Sequence, residues 1–577
     1  MERPVRSKKY LETAFVLFVL FTLIDGAASA QVNRKSPGAP TGAVGTKPKP
    51  EGAAAKLSQI VASGRLEDLR WPNFSDYRSQ IISFYRPSAY RPAWTRDGQP
   101  TPQSLQLIRI LQDADSEGLR PEDYDASRWT GRVAVLGRAH GDDDEARFDA
   151  ALTVCTMRYV SDLQIGRVNP QHLGFEFEVV KQKLDLPQFV RERLVDGSNL
   201  QIELSQLGPT FPGYKRLRDA LRRYEELARR DTGEKLPPFI RAVPGQEYAN
   251  LGRVSRLLRL LGDLPENIVI PPDANVYQGA LVDAVKRFQE SHGLDATGLI
   301  DKETVAEMNV PLSDRVEQMR LGLERYRWLP YDFKQPPIVI NVPEFRLYGF
   351  DEKGQVGISM NVNVGDQYDF QTPMFEKNML YVVFRPYWTP PPTILRHEII
   401  TDLKETPSLD DIDLELVTGS GQIIRSGLVT PAMLQQIRSG QITVRQPPGP
   451  DNALGLVKFI FPNEYHVYMH DTPESEQKFS KEKQKVFSHG CIHAEEPDKL
   501  AAWVLRNTPG WDLQRVQHAM REGRDNVQVN LASPIPVLIV YQTAIVKENG
   551  EIYFFHDIYG HDRALERELN KGYPHNN

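Results

Sequence analysis

Apolar positions change their period several times along the chain, and those changes divide it. An apolar run from Ala14 to Ile24 follows Arg3, Arg6, Lys8 and Lys9 and precedes the small residues Ala28-Ser29-Ala30. A bilayer-spanning helix needs about 20 apolar residues, so residues 1–30 read as a cleavable secretory signal with Gln31 as the new N-terminus. Residues 31–56 are rich in Pro, Gly, Ala and Lys, cannot bury a core, and read as a flexible tether. From 57 to 245 the period is helical. Leu152, Cys155, Tyr159 and Leu163 form one such stripe.

Residues 246–311 carry shorter stripes. Leu251, Val254, Leu257, Leu258 and Leu261 make one, and Leu281, Val285, Phe288 and His292 a second. Gly293 and Gly298 punctuate the chain before a third short helix at Lys302–Met308. Residues 312–336 hold a connecting amphipathic helix, Val316–Leu329. The period then falls to two: Ile338, Ile340 and Val342 alternate, as do Phe345 and Leu347, ahead of a turn at Asp351–Gly354. Strand-like runs recur at Gly357–Val364, Met379–Phe384, Val457–Phe461, His466–His470, Val537–Val546 and Ile552–Phe555. A polar, partly helical insertion at 395–448 interrupts them and is a candidate cap. The pattern predicts an α+β multidomain protein. Its parts are a helical N-terminal scaffold, a three-helix module, a mainly β catalytic domain over 337–530, and C-terminal strands with a tail over 531–577.

Composition narrows the class. With 577 residues, 40% hydrophobic and 25% charged, the chain is neither mostly disordered nor a polytopic membrane protein. A net charge of −6 lacks the basic surplus of a nucleic-acid binder. Two cysteines, Cys155 and Cys491, exclude a disulfide-dense scaffold and any multi-cysteine metal centre. A free cysteine in an exported protein invites a functional explanation. Cys155 sits inside a helical stripe and reads as a small buried hydrophobe. Cys491 remains.

Around Cys491 lie Ser488-His489-Gly490-Cys491-Ile492-His493, with His470 upstream at the end of an alternating strand. A thiol attacks as thiolate, so it benefits from a neighbouring base or positive charge. A histidine in reach takes the thiol proton and returns it to a leaving amine. Gly490 lets backbone approach a substrate carbonyl, and the amides of Gly490 and Cys491 are candidates for an oxyanion pocket. Two other readings stay open. His470, His489, Cys491 and His493 could converge on a metal, although H-x-C-x-H lacks the usual zinc spacing and no carboxylate joins it. The histidines could also be core residues. No metal or cofactor is expected.

These residues carry a resemblance. Pro448-Gly449-Pro450, Asn452-Ala453-Leu454-Gly455, Lys458-Phe459, Pro462, His470-Asp471-Thr472-Pro473 and Ser488-His489-Gly490-Cys491-Ile492 resemble the active-site signature of YkuD-type L,D-transpeptidases. Thr372-Pro373, Phe375, Arg385-Pro386-Tyr387-Trp388 and Pro391-Pro392-Thr393-Ile394 resemble the same domain's first half. Asp557-Ile558-Tyr559-Gly560 and Asp562 resemble the C-terminal segment of the large YcbB-like subfamily. In the helical region, Trp94, Glu117-Gly118-Leu119, Asp123-Tyr124, Arg158-Tyr159, Asp162-Leu163 and Gly166-Arg167-Val168 look like its scaffold. Between them, Ala284-Val285-Lys286-Arg287-Phe288-Gln289, His292-Gly293-Leu294, Thr297–Asp301 and Thr304 are similar to a peptidoglycan-binding domain.

The resemblance implies Cys491 as nucleophile and His470 as general base and acid, oriented by the backbone carbonyl of Asp471. His489, Gly490 and Ser488 would line the nucleophile. Tyr387, Trp388, Asn452 and His493 become substrate-binding candidates. The implied reaction is attack on the third residue of a peptidoglycan tetrapeptide stem, loss of D-Ala, and capture of the thioester by a neighbouring stem's amine to give a 3→3 cross-link. The partners would be stem peptides and glycan, the compartment the periplasm, and carbapenems would acylate Cys491. A water acceptor would make the protein an L,D-carboxypeptidase. A wall-binding scaffold with a dead catalytic domain is disfavoured by the intact His470, Ser488, Gly490 and Cys491.

One position departs from the family, which usually has Arg two residues after the cysteine; here it is His493. Arg is always charged, whereas His near its ordinary pKa is mostly neutral at pH 7. His493→Arg is expected to preserve or raise turnover of tetrapeptide; complete loss would give His493 a role of its own.

Overall fold

The computed structural model describes residues 51–574 apart from 139–140, 179–183, 238–240, 272–273, 331–332, 367–369, 474–478 and 480–487. The expected signal at 1–30 lies outside the described residues. Among those described, no helix is long and apolar enough to cross a membrane.

The helical region begins earlier than its composition suggested. Gly52–Ser63 is a helix, so positions 52–56 do not belong to a tether. Ala53, Leu57 and Val61 recur every four residues on its buried face, and that spacing outweighs the small, polar residues between them. This helix packs on the 24-residue helix Asp142–Ile165, the axis of the N-terminal core. Cys155 lies in that core beside Leu152 and Tyr159, a free thiol whose pKa burial pushes far up.

Three short helices, Leu251–Leu261, Ala280–Ser291 and Lys302–Met308, close their own apolar cluster. Buried Gln289 ties the module's turn together. Its amide donates to the Leu299 carbonyl at 2.7 Å and to Thr304 Oγ1 at 2.9 Å, while its oxygen accepts from Gly298 N–H at 2.8 Å. His292 stacks on Phe288 and meets Phe554 from the C-terminal hairpin, so the module leans on the last part of the chain.

The β region uses eight strands: β1 (Ile338–Asn341), β2 (Arg346–Phe350), β3 (Val356–Asn363), β4 (Met374–Phe384), β5 (Val457–Ile460), β6 (Met469–His470), β7 (Ile492–Ala494) and β8 (Val527–Val540). They pair in the order β5-β6-β7-β3-β2-β1-β8-β4, β4 pairs with β5 to close the ring, and a ninth, two-residue strand from the helical region, Phe175–Glu176, adds parallel to β4. Period-two alternation sends Ile338, Ile340, Leu347, Met360, Met469 and Ile492 into one core, capped by Leu500, Ala501, Val504 and Val516 from two helices. The boundary expected at 530/531 falls inside β8. Asn530 and Ile535 flank a register shift around Pro534, which breaks the apolar alternation without ending the strand. The expected strand Val537–Val546 ends at Val540, and Ala544–Val546 pairs instead with Ile552–Phe554.

The connecting helix, Leu312–Trp328, joins these parts. Its Glu324 accepts from the Val168 N–H at 2.9 Å. Near the chain's end, Tyr573 bonds Asp162 and lies under the Arg158 guanidinium, so the tail closes on the N-terminal region.

Gln289→Leu keeps the volume but strands the Gly298 amide and the Leu299 carbonyl. Denaturant unfolding should reveal a loss of about 2–3 kcal/mol confined to the module's transition.

Candidate active site

Two strands of two and three residues place the chemistry. β6 and β7 run parallel, with Met469 opposite Ile492 and His470 opposite His493. Met469 and Ile492 point into the core, so their neighbours Tyr468, His470, Cys491 and His493 point outward together. β5 flanks them, with Lys458 opposite His470. The His470 and His493 rings meet edge-on at 4.8 Å.

His470 is buried, and its Nδ1 donates to the Asp471 carbonyl at 2.6 Å. That bond fixes the tautomer with Nε2 as the basic nitrogen. The Asp471 carboxylate works elsewhere, accepting from the Leu456 N–H at 2.8 Å and the Thr472 N–H at 2.7 Å. Gly455, at φ +58°, passes so close that an added Cβ would lie 2.5 Å from that of Asp471. Burial raises the Asp471 pKa, and the two amides oppose the rise.

The loop before Cys491 is a folded turn. Ser488 Oγ bonds the Cys491 carbonyl and accepts from the Gly490 N–H at 3.1 Å. Gly490 sits at φ +98°, where a side chain would be strained. Its amide is therefore engaged in the turn. Among the described residues, the Cys491 amide makes no bond of this kind. The thiol lies 4.0 Å from the His466 carbonyl. Burial pushes the Cys491 pKa up; the Tyr468 N–H and the Lys458 ammonium pull it down.

His489 turns away from this cluster. Half-exposed, it meets Phe370 edge-on and places Nε2 3.3 Å from Glu398 of the insertion. Among the described residues, no group of three or more His, Cys, Asp or Glu could hold a metal ion. The insertion is a lobe with its own core of Leu403, Leu416, Ile437 and Val444. Its neck takes up the other candidates. Trp388 and Gln446 exchange backbone bonds of 3.1 and 2.7 Å, and Arg445 lies 3.8 Å over the Tyr387 ring. Asn452 is fully buried and donates to the Pro447 carbonyl at 2.8 Å, so it serves the loop and has no surface to offer a substrate.

With this geometry, residues 336–517 match the L,D-transpeptidase catalytic domain family YkuD, residues 79–221 a scaffold domain, and residues 249–308 a family named "Putative peptidoglycan binding domain". The chain carries a YkuD L,D-transpeptidase domain joined to a peptidoglycan-binding domain. A curated Haemophilus influenzae protein named "Putative L,D-transpeptidase" is 27% identical over 254 residues, 44% of this chain and 50% of that protein. The chain thus spans about half the length of this curated relative. Solved L,D-transpeptidases from Xylanimonas cellulosilytica and Stackebrandtia nassauensis align at 13% and 12% identity. Both alignments cover 53% of this chain, and they take in 100% and 97% of those chains, with TM-scores of 0.17 and 0.20, too low to bear on the fold.

Sequence reasoning missed two braces. Thr372 Oγ1 accepts from the Gly365 N–H at 2.8 Å and donates to the Gly490 carbonyl at 3.0 Å. Tyr559, from the last segment, donates to the Gly365 carbonyl at 2.5 Å and receives the Thr372 N–H at 3.3 Å. Both residues stood within quoted motifs, but only the fold shows what they hold. Thr372→Val removes both bonds of the hydroxyl at equal volume. It should cost about 1–3 kcal/mol in denaturant unfolding and slow Cys491 acylation by roughly tenfold or more through a displaced turn. Unchanged acylation would show the brace to be dispensable.

Proposed function

We propose that this protein is an exported peptidoglycan L,D-transpeptidase of the large YcbB-like subfamily, forming 3→3 cross-links through a cysteine thioester. The observation that carries the reading is the β6–β7 pairing, which puts His470 on the face that Cys491 shares, with the His470 Nδ1 held by the Asp471 carbonyl. His470 Nε2 takes the proton of Cys491, and the thiolate attacks the carbonyl of the third stem residue. The Cys491 amide stabilises the oxyanion, since the Gly490 amide is committed to Ser488. His470 then protonates the departing D-Ala amine, leaving a thioester. A side-chain amine on a second stem attacks it, His470 takes that amine's proton, and the thiolate leaves.

The peptidoglycan-binding domain match supports peptidoglycan as the material acted on and a cell-wall location. A signal at 1–30 would deliver the protein to the periplasm. His493, beside His470, is the remaining candidate for holding stem polar groups.

Incubation of the full chain with disaccharide-tetrapeptide, followed by mass spectrometry, tests the reading. A dimer lacking one D-Ala is expected from the wild type and none from Cys491→Ala; a carbapenem should add covalently to Cys491. Tripeptide without dimer would make the protein an L,D-carboxypeptidase. No product and no adduct would leave a wall-binding scaffold. Metal content of the same sample checks the zinc alternative.

A further inference from the structure

Lys458 is a half-buried cation at the site with no assigned part. On β5 it stands opposite His470, so its side chain shares the outward face with Tyr468, His470 and Cys491. Its ammonium rests 3.7 Å above the Tyr468 ring. No carboxylate pairs with it among the described residues. The acids nearest the site are otherwise engaged, Glu398 with His489 and Asp471 with two backbone amides.

Tyr468 connects this cation to the sulfur. Its carbonyl accepts from the Ile492 N–H at 2.9 Å, which fixes the strand that begins just after Cys491. Its own N–H points at the Cys491 sulfur. We propose that Lys458 is the cation that sustains the Cys491 thiolate, held in place by the face of the Tyr468 ring. The inference rests on Cys491 being the nucleophile.

A buried ammonium and a buried thiolate are each costly alone and offset one another when adjacent. Both halves of that exchange are present: burial lowers the Lys458 pKa while Cys491 raises it, and burial raises the Cys491 pKa while Lys458 lowers it. The other titratable or charged groups around the sulfur are Tyr381 on β4, His466 and Tyr468 before β6, His470, His489, His493, and Glu398 of the insertion. Among these groups Lys458 alone carries an ammonium or guanidinium, so it is the standing positive charge.

Proton accounting is simple. The thiol proton goes to His470 Nε2, and Lys458 remains an ammonium throughout. Once the thioester forms, the sulfur is neutral and the attraction lapses. It returns when the acceptor amine expels the thiolate. Lys458 therefore favours both the creation and the departure of the same anion, and it should speed acylation and deacylation alike.

The test is the pH profile of iodoacetamide alkylation at Cys491 in the full chain, read by mass on the Cys491 peptide. Lys458→Met should raise the alkylation midpoint by about one pH unit, a tenfold fall in thiolate below it. Higher intrinsic nucleophilicity of the more basic thiolate offsets part of this, so the rate one unit below the wild-type midpoint should fall about threefold. Lys458→Arg keeps the charge and should leave the midpoint within about 0.3 unit of wild type. Thermal melts establish that each variant is folded, and Lys458→Gln substitutes if the Met variant is not. A superimposable profile in a folded Met or Gln variant overturns the proposal. So does an Arg variant shifted as far as Met, which would make Lys458 a packing residue. Alkylation does not require turnover. A shifted midpoint in a protein that forms no cross-linked dimer would sustain the role of Lys458 while sinking the transpeptidase reading.

Discussion

Everything at the site depends on two residue pairs of parallel strand, Met469 with Ile492 and His470 with His493. Parallel pairing this short has little stability of its own. It persists because both strands are interior members of a closed ring, flanked by β5 on one side and β3 on the other. The inward members, Met469 and Ile492, are wholly buried, and a slip of one residue would send His470 and Cys491 into the core. Hydrophobic register on the inside of the ring is thus what aligns His470 and Cys491 on the outside. The Asp471 side chain extends the same logic by pinning the Leu456 amide, where β5 begins.

The turn carrying Cys491 depends on more distant help. Its own residues supply the shape, through Ser488 and the left-handed Gly490. Its position comes from Thr372 and Tyr559, which lie on either side of it in sequence and meet over the Gly365 carbonyl and amide. An added Cβ on Gly365 would fall 1.7 Å from the Phe370 carbonyl oxygen, so the backbone there has no room for any other residue. The C-terminal segment that supplies Tyr559 also supplies Phe554 to the binding module and Tyr573 to the N-terminal core. One stretch of chain therefore touches all three parts of the molecule.

What the sequence disclosed follows from range. Features set by neighbours a few residues apart were legible: the alternation of Ile338 and Ile340, the helix Lys302–Met308, and the dense run from Ser488 to His493. Features set by tertiary partners were not. The start of the first helix was hidden because its apolar residues are sparse and acquire meaning only against the 142–165 helix. The continuity of β8 was hidden because Pro534 looks like an end and proves to be an irregularity. Tyr387, Trp388 and Asn452 stood within the quoted motifs, and in the fold they build the neck of the inserted lobe. Lys458 was quoted only as part of a pattern, because no local signal marks a lysine whose partners are a ring and a sulfur on other strands.

Net charge describes the whole chain and not the site, because it is an average. The chain totals −6, and that excess says nothing about the surface where chemistry is placed. On the two strands and loops around Cys491 stand His466, His470, His489 and His493, and Lys458 on β5 pairs opposite His470. Asp471 spends its oxygens on backbone amides, and Glu398 reaches in only as far as His489. The local surplus of cationic and proton-accepting groups is what a thiol needs in order to ionise against the penalty of burial. The site's polarity opposes that of the whole, and it emerges only when β5, β6 and β7 are laid side by side.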